Sequence, residues 1–344
     1  PVMIGTLASL ISTARAALNG MEGRSRARGS SKRPHAPEVS APETPTQAIE
    51  SSKRRRVADA CPLLELPEEL LERALLYSTT PRDLCAIAQC STRLRTISDN
   101  ADAYWRGEFA ERWGGLTELQ GEAAKLAGSW KNLYASRAGT DRTHAPWQKP
   151  SPFEVQVAVR RLVPETEPEA CVVFLIDGSG SVTEDDFSCM TSFVTQAIEH
   201  LDTQETATQV AVVQFSNDCR LELAPSPIVL DQITNVLEGM YRMNGGTNIS
   251  LAVQRAGQLL KPMAPRMRRV LVLLTDGRID SHQAREAHDM AQRLADEQGH
   301  VCLYAFGVGR GVDRAELLRI ISARDASSAD SRYLGLCTLD ESPW

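Results

Sequence analysis

At 344 residues the chain is long enough for two or three domains with sizeable cores. Its net charge of −6 is uneven: residues 1–60 hold ten Lys or Arg against five Asp or Glu, so a basic tail precedes an acidic body, which argues against direct nucleic-acid binding. No stretch approaches the roughly 20 apolar residues of a membrane span. Eight cysteines (Cys61, Cys85, Cys90, Cys171, Cys189, Cys219, Cys302 and Cys337) show no Cys-x-x-Cys pair or metal-site spacing, which predicts reduced thiols in a cytosolic or nuclear protein rather than a disulfide framework.

The first residues, VMIGTLASLISTARA, are moderately apolar, carry Arg15 and have no basic region before them. With the Arg- and Ser-rich GRSRARGSSKRP that follows they are compatible with an organelle transit segment, and less so with a signal peptide despite the cleavage-like Ala14-Arg15-Ala16. The chain begins with Pro, which is compatible with further residues before it or with a start at Met3 or Met21. Residues 23–60 have no aromatic and few β-branched side chains and are too polar to bury a core, so residues 1–60 are expected to be a disordered basic tail. Within it Lys53, Arg54, Arg55 and Arg56 read either as a nuclear localisation signal or as a solvated basic stretch. The expected location is the nucleus, the cytoplasm or both.

From Leu63 the texture changes. LLELPEELLERALLYS places Leu70, Leu71, Ala74 and Leu75 at helical spacing, with Pro67 in the first turn. Thr80-Pro81-Arg82-Asp83 opens a second helix as N-cap, proline and acid at N3, and Leu84, Ile87, Ala88, Leu94 and Ile97 continue the pattern. Trp105, Phe109 and Trp113, then Trp130, Leu133 and Tyr134, fall at helical spacings that suit core packing. In this order LPEELL, TPRDLCAIAQCSTRLR, YW and WKNLY resemble an F-box and its following helices, giving an F-box-like helical domain over 61–137. That resemblance implies a small all-α domain that docks on the Skp-type adaptor of cullin ubiquitin ligases, with Leu66, Pro67, Leu70, Leu71, Pro81 and Leu84 as the adaptor-binding residues. Ala74 and Ser78 depart from the larger aliphatic residues usual there, at about 1 to 2 kcal/mol of docking energy per side chain.

Residues 138–168 carry five prolines and read as a linker, with an alternating piece at Val155, Val157 and Val159 that suggests an edge strand. From residue 169 strand-like and helix-like stretches alternate. Thr183 and Asp186 cap a helix whose face is Phe187, Met190, Val194, Ala197, Ile198 and Leu201. Strands are expected at 208–215, 220–224, 270–274, 301–309 and YLGLC, and helices near 228–241, 249–260, 281–297 and 313–323. This alternation predicts a doubly wound, mainly parallel α/β sheet of Rossmann-like type, with ligands at the carboxyl ends of its strands.

The first of those strands, CVVFLIDGSGS, stops at an acid and two serines spaced by glycines: Asp177, Ser179 and Ser181. Downstream, GGTN brings Thr247, and VLVLLTDG ends on Asp276. Hydroxyl and carboxylate oxygens without Cys or His suit a hard divalent cation, Mg²⁺ or Mn²⁺ before Ca²⁺ and well before Zn²⁺. Two acids and three neutral hydroxyls leave a coordination position open, and an open position on a hard cation favours a carboxylate. The helix beginning near Thr183 turns its positive end toward the same crevice, which favours an incoming anion.

Asp-x-Ser-x-Ser, then Thr, then Asp is similar to the metal-ion-dependent adhesion site of the von Willebrand factor A family, which residues 169–340 resemble throughout. The resemblance implies Ser179, Ser181 and Thr247 as direct metal ligands and Asp177 and Asp276 as ligands acting largely through water. The competing chemistries fit worse. A phosphate loop would want a Lys and would not place Asp177 in the turn, and a phosphotransfer aspartate would want an acid where Ser179 stands. His200, His282, His288 and His300 sit on or beside predicted helices and read as solvated, and Arg278 reads as a surface arginine or as one steering an acidic ligand. Asn248-Ile249-Ser250 matches a glycan acceptor but overlaps the metal loop.

The expectation is a non-catalytic, substrate-recruiting subunit of a Skp-cullin-F-box ubiquitin ligase, its α/β domain binding an acidic residue of a protein partner through the cation. The alternative is a metal-dependent protein-binding or adhesion module with no ubiquitin role. A third reading, the substrate-binding subunit of a chelatase-like machine, requires an ATPase partner.

Overall fold

The computed structural model describes residues 65–277, 281–298, 301–322 and 332–339. The basic tail with Lys53 to Arg56, and Arg278 and His300, lie outside them. The chain divides into two compact units, the first ending at Tyr104 and the second beginning at Trp105.

The first unit holds α1 (Glu68–Ser78), α2 (Pro81–Ala88) and α3 (Thr92–Asn100), of which α2 starts on a side-chain capping bond. Pro67 precedes α1, and the Thr80 hydroxyl accepts the Asp83 amide at 3.2 Å to start α2. The buried face consists of Leu71, Leu75, Leu84, Ala88, Leu94 and Ile97. Each large aliphatic side chain there stabilises the unit by about 1.5 to 3 kcal/mol.

The second unit takes α4 (Asp102–Trp113) from Trp105 onward, then α5 (Glu118–Ala127), α6 (Trp130–His144), the short β1 (Trp147–Gln148) and α7 (Pro152–Leu162). The aromatic stripes of the sequence meet one another as core: Phe109 lies 4.7 Å from Trp113 and 5.7 Å from Trp130 between ring centroids. Trp113 Nε1 donates to Asp141 at 2.7 Å, so the half-buried indole has its hydrogen bond made.

The edge strand expected at Val155, Val157 and Val159 is helix instead. Ser151 and Glu154 form a capping box around Pro152 at N1, and this start signal outweighs the short alternation of valines. The stretch 138–168 thus holds the end of α6, β1 and α7.

The remaining elements alternate: β2 (Glu169–Asp177), α8 (Glu184–Asp202), β3 (Ala207–Phe215), β4 (Cys219–Pro227), α9 (Leu230–Glu238), α10 (Ile249–Leu260), β5 (Arg268–Thr275), α11 (Ser281–Gln298), β6 (Val301–Gly309), α12 (Arg314–Ile321) and β7 (Tyr333–Leu339). The sheet order is β1-β7-β6-β5-β2-β3-β4. β7, β6, β5, β2 and β3 run parallel, while β1 on β7 and β4 on β3 are antiparallel. The sheet is mainly parallel, as expected, and mixed because an antiparallel strand closes each of its two edges. A two-residue β1 and a hairpin-linked β4 need no crossover helix, so either direction is open to them.

The central strands are buried on both faces, and their side chains alternate between two cores. Val172, Phe174 and Ile176 join one cluster with α7, α8 and α9, and Cys171, Val173 and Leu175 join the other with α10, α11 and α12. The first cluster also takes in Phe109, Leu119, Leu133, Val157, Val159 and Leu162, so the helices from α4 to α7 share a core with the sheet.

Glu154 is fully buried there and meets Arg137 Nη1 at 2.7 Å while its other oxygen accepts the Ser151 amide at 2.9 Å. Replacing it with Ala strands a nearly buried guanidinium and removes the cap; Glu154→Ala is expected to cost about 3 to 5 kcal/mol. The Arg137→Ala/Glu154→Ala double variant should lose less than the sum of the single changes. Urea unfolding of the four proteins checks both.

Candidate metal centre

β2 and β5 are adjacent parallel strands in register, Ile176 opposite Leu274, so they end side by side. Asp177 closes the first, and Thr275 with Asp276 closes the second. Asp177 is fully buried and Asp276 is 1% exposed. The Asp177 carboxylate is held at both oxygens: Oδ1 accepts the Ser179 amide at 2.9 Å and Oδ2 accepts the Thr275 hydroxyl at 2.6 Å. Burial pushes its carboxyl up to about 6; the bonds from Ser179 and Thr275 oppose that rise, and the Asp276 charge adds to it.

Ser179 is buried and Ser181 exposed, and their hydroxyl oxygens lie 3.1 Å apart at the mouth of the loop. Thr247 arrives on the loop before α10 and is 9% exposed. Backbone bonds lace that loop to the first: Asn244 N donates to Gly178 O at 2.9 Å and Gly180 N to Gly245 O at 2.8 Å. The Asn217 side chain accepts the Gly246 amide at 2.9 Å, and Asn248 N donates to Ser216 O at 2.9 Å. The structure thus gathers Asp177, Ser179, Ser181, the Thr247 loop and the Asp276 strand end at the carboxyl ends of the central strands.

Several supporting residues were not singled out from sequence. Gln214, fully buried in an otherwise apolar strand, accepts the Met243 amide at 2.7 Å and donates to Tyr241 O at 3.2 Å. Its position inside TQVAVVQF was the one available signal. Arg242 donates to the Ser179 and Val182 carbonyls and pairs with Glu184 at 2.9 Å, which ties the Thr247 loop to the start of α8. Asp186, expected only as a cap, does cap Thr183, and Gly309 lets it approach the centre. A Cβ on Gly309, whose φ is 112°, would lie 3.2 Å from Asp186 Oδ2 and 3.3 Å from Asp276 Cβ.

Among the described residues no group of three or more His, Cys, Asp or Glu is placed to hold a metal. Any cation here rests on the hydroxyl-rich set alone. That set fits: every donor is an oxygen, two are anionic and three neutral, which is the chemistry a hard divalent ion takes. Asn248 uses its side chain to accept the Leu251 amide at 2.9 Å as the N-cap of α10, so the acceptor triplet there is committed to the fold.

The six residues expected at an adaptor contact do not share one surface. Leu71 and Leu84 are fully buried in the core of the first unit; Leu66 and Pro81 are half-buried, and Pro67 is exposed. Leu70 is 49% exposed, as is Tyr77 at 84%.

Residues 172–335 match the model of the von Willebrand factor type A domain. The mouse collagen alpha-6(VI) chain is 30% identical over 155 residues, 43% of this chain and 6% of that protein. Human vitrin is 32% identical over 165 residues, 46% and 23% of the two chains, and human matrilin-4 is 31% identical over 159 residues, 44% and 24%. The chain therefore spans a quarter or less of these relatives. Among solved structures, proximal thread matrix protein 1 from the mussel byssus with zinc-occupied MIDAS motif is 21% identical with a TM-score of 0.41, covering 51% of this chain and 45% of that one. The SpRpn10 VWA domain is 16% identical with a TM-score of 0.40, covering 51% and 90%.

Over residues 172–335 the second unit is similar to a von Willebrand factor type A domain. Collagen VI, vitrin and the matrilins are extracellular matrix proteins, which overturns the nuclear or cytoplasmic location expected from Lys53, Arg54, Arg55 and Arg56 and from the unpaired cysteines. No helix among the described residues is long and apolar enough to cross a membrane.

A Cβ on Gly178 would collide with Gln214 Oε1. Gly178→Ala should therefore break the Gln214 bonds to the 241–243 segment and destabilise the domain by about 1 to 3 kcal/mol. Thermal and urea unfolding of the variant beside Gly180→Ala, whose Cβ meets only Gly245 O at 3.3 Å, checks whether the loss is specific to that contact.

Proposed function

We propose that the chain is a protein-binding module of the adhesion type, non-catalytic, which takes an acidic side chain of a protein partner on a divalent cation. Asp177, Ser179, Ser181, Thr247 and Asp276 would hold the ion, Mg²⁺ or Mn²⁺, and the bound ion would supply an open position for the partner's carboxylate. The observation that carries this reading is the convergence of two buried strand-end carboxylates with the Ser179 and Ser181 hydroxyls 3.1 Å apart at the mouth. The partner's anion also meets the amino-terminal end of α8, whose dipole favours it.

The relatives favour this role over recruitment to a ubiquitin ligase. Skp-type adaptor and cullin partners rest on the sequence resemblance of the helical segment alone, and of the residues that resemblance assigned, Leu71 and Leu84 are spent on the core.

Binding of Mn²⁺ alone, followed by electron paramagnetic resonance on the full chain, tests the cation. We expect one saturable site, lost in Asp276→Asn. In Thr275→Val, which removes the hydroxyl holding Asp177, affinity should fall roughly 10- to 100-fold, the usual effect of losing an outer-shell partner. Equal Mn²⁺ binding by the wild type and Asp276→Asn would sink the assignment. Acetate is the probe for the open position: it should broaden the Mn²⁺ signal of the wild type and leave that of Asp276→Asn unchanged.

A further inference from the structure

β4 is the outermost strand on its side of the sheet, and among the described residues it pairs with β3 alone. The exposed large apolar side chains described in the second unit all lie beside it. Leu221 is on the strand. Val229 and Leu230 stand where the chain leaves β4 for α9, a helix that packs on this strand, and the exposed Tyr241 ring is stacked by Arg220 of β4 at 4.5 Å. Apolar side chains gathered along a strand whose outer backbone groups lack a ladder mark an edge that can take another strand.

The sequence of β4 decides which strand. Its pairing with β3 is irregular from Leu221 onward, and Pro225 and Pro227 have no amide to donate, so the run open to a partner is Cys219 to Leu223. Within that run Arg220 and Glu222 flank Leu221, and Arg220 Nε donates to Glu222 Oε1 at 2.5 Å, which holds both side chains on one face of the strand.

We propose that the occupant is a second copy of this chain, its β4 adding antiparallel to this one about a two-fold axis at Leu221. That register sets Arg220 opposite the partner's Glu222 and Glu222 opposite the partner's Arg220, while Leu221 is covered by the partner's Leu221. The strand is complementary to itself in charge. Registers centred on Arg220 or on Glu222 would instead set like charge against like, so the sequence selects the axis at Leu221. Val229 and Leu230 border the joint. The run is short, so the dimer is weak and depends on concentration. The inference stands apart from the cation, because β4 carries none of the five candidate ligands.

The full chain is followed by sedimentation equilibrium up to its solubility limit, with dithiothreitol present so that the exposed Cys85 and Cys90 cannot link copies. Hydrogen exchange at low and high concentration, read by mass spectrometry, locates the contact. We expect a monomer–dimer equilibrium, with exchange over 219–224 slowing as the dimer forms, and a monomer at every concentration for Leu221→Lys. Glu222→Arg should weaken association roughly tenfold or more, since both cross-strand ion pairs become like-charge pairs, and Arg220→Glu/Glu222→Arg should restore it. A wild type that stays monomeric, a dimer that survives Leu221→Lys, or a dimer whose 219–224 amides exchange as in the monomer would each overturn the inference. The wild-type measurements decide it even if Leu221→Lys does not fold.

Discussion

Two carboxylates buried at the ends of adjacent parallel strands are the constraint on which the rest of the domain turns. A parallel register brings β2 and β5 to a stop together, and the side-chain alternation that sends Val172, Phe174 and Ile176 to one core and Cys171, Val173 and Leu175 to the other fixes where the next residues point. Asp177 follows a fully buried strand, so its charge has no water to meet. It is accommodated by two hydrogen bonds, from the Ser179 amide and the Thr275 hydroxyl, and the rise of its carboxyl to about 6 shows that these do not fully offset burial. Under the proposed reading a hard cation would supply the charge that burial of these carboxylates leaves unmet.

The same constraint explains the polar framework around the loops. A ligand loop that must hold hydroxyls in a fixed array cannot rely on apolar packing, because its own residues are glycine, serine and asparagine. Long-range hydrogen bonds do that work: Gln214 from β3, Asn217 from the β3–β4 turn and Arg242, which reaches the Ser179 and Val182 carbonyls and Glu184. Supporting residues locked by their own bonds are what make a site pre-organised rather than merely assembled.

Much of this was legible in the sequence where the signal is local. Capping residues announced α2 and α8, and largely apolar runs announced the buried strands β2, β3, β5 and β6. The candidate site residues drew attention because Asp177 and Asp276 end apolar runs beside glycine and Ser179, Ser181 and Thr247 stand next to glycine in loops. Legibility failed where the decisive interaction is distant or where two local signals compete. Gln214 and Arg242 act on residues 27 to 63 positions away, and no local pattern marks that. At α7 the Ser151–Glu154 box and the alternating valines pointed in opposite directions, and the box won. Helical periodicity located the apolar faces of α1 and α2 without revealing whether they face a core or a partner; Leu71 and Leu84, which the F-box resemblance assigned to an adaptor, are buried in the core of the first unit. The location was misjudged because unpaired cysteine spacing records how thiols are distributed along the chain, not what surrounds the protein.

The helices before the matched segment bear on what the binding module is. Val157, Val159 and Leu162 of α7 lie in one apolar cluster with Val172, Phe174 and Ile176 of β2, and α5 packs in turn on α7. Arg137 on α6 is paired with the buried Glu154 of α7, and Tyr304 on β6 donates to the Arg161 carbonyl at 2.6 Å. These bonds cross the boundary at residue 172 in both directions of the argument: the sheet needs α7 to cover Phe174, and α7 needs α6 to neutralise its one buried acid. A fragment starting where the family match starts would expose that apolar face to water. The cooperative unit that presents Asp177, Ser179, Ser181, Thr247 and Asp276 is therefore larger than the matched domain, and it begins among the helices that the sequence had assigned to a different role.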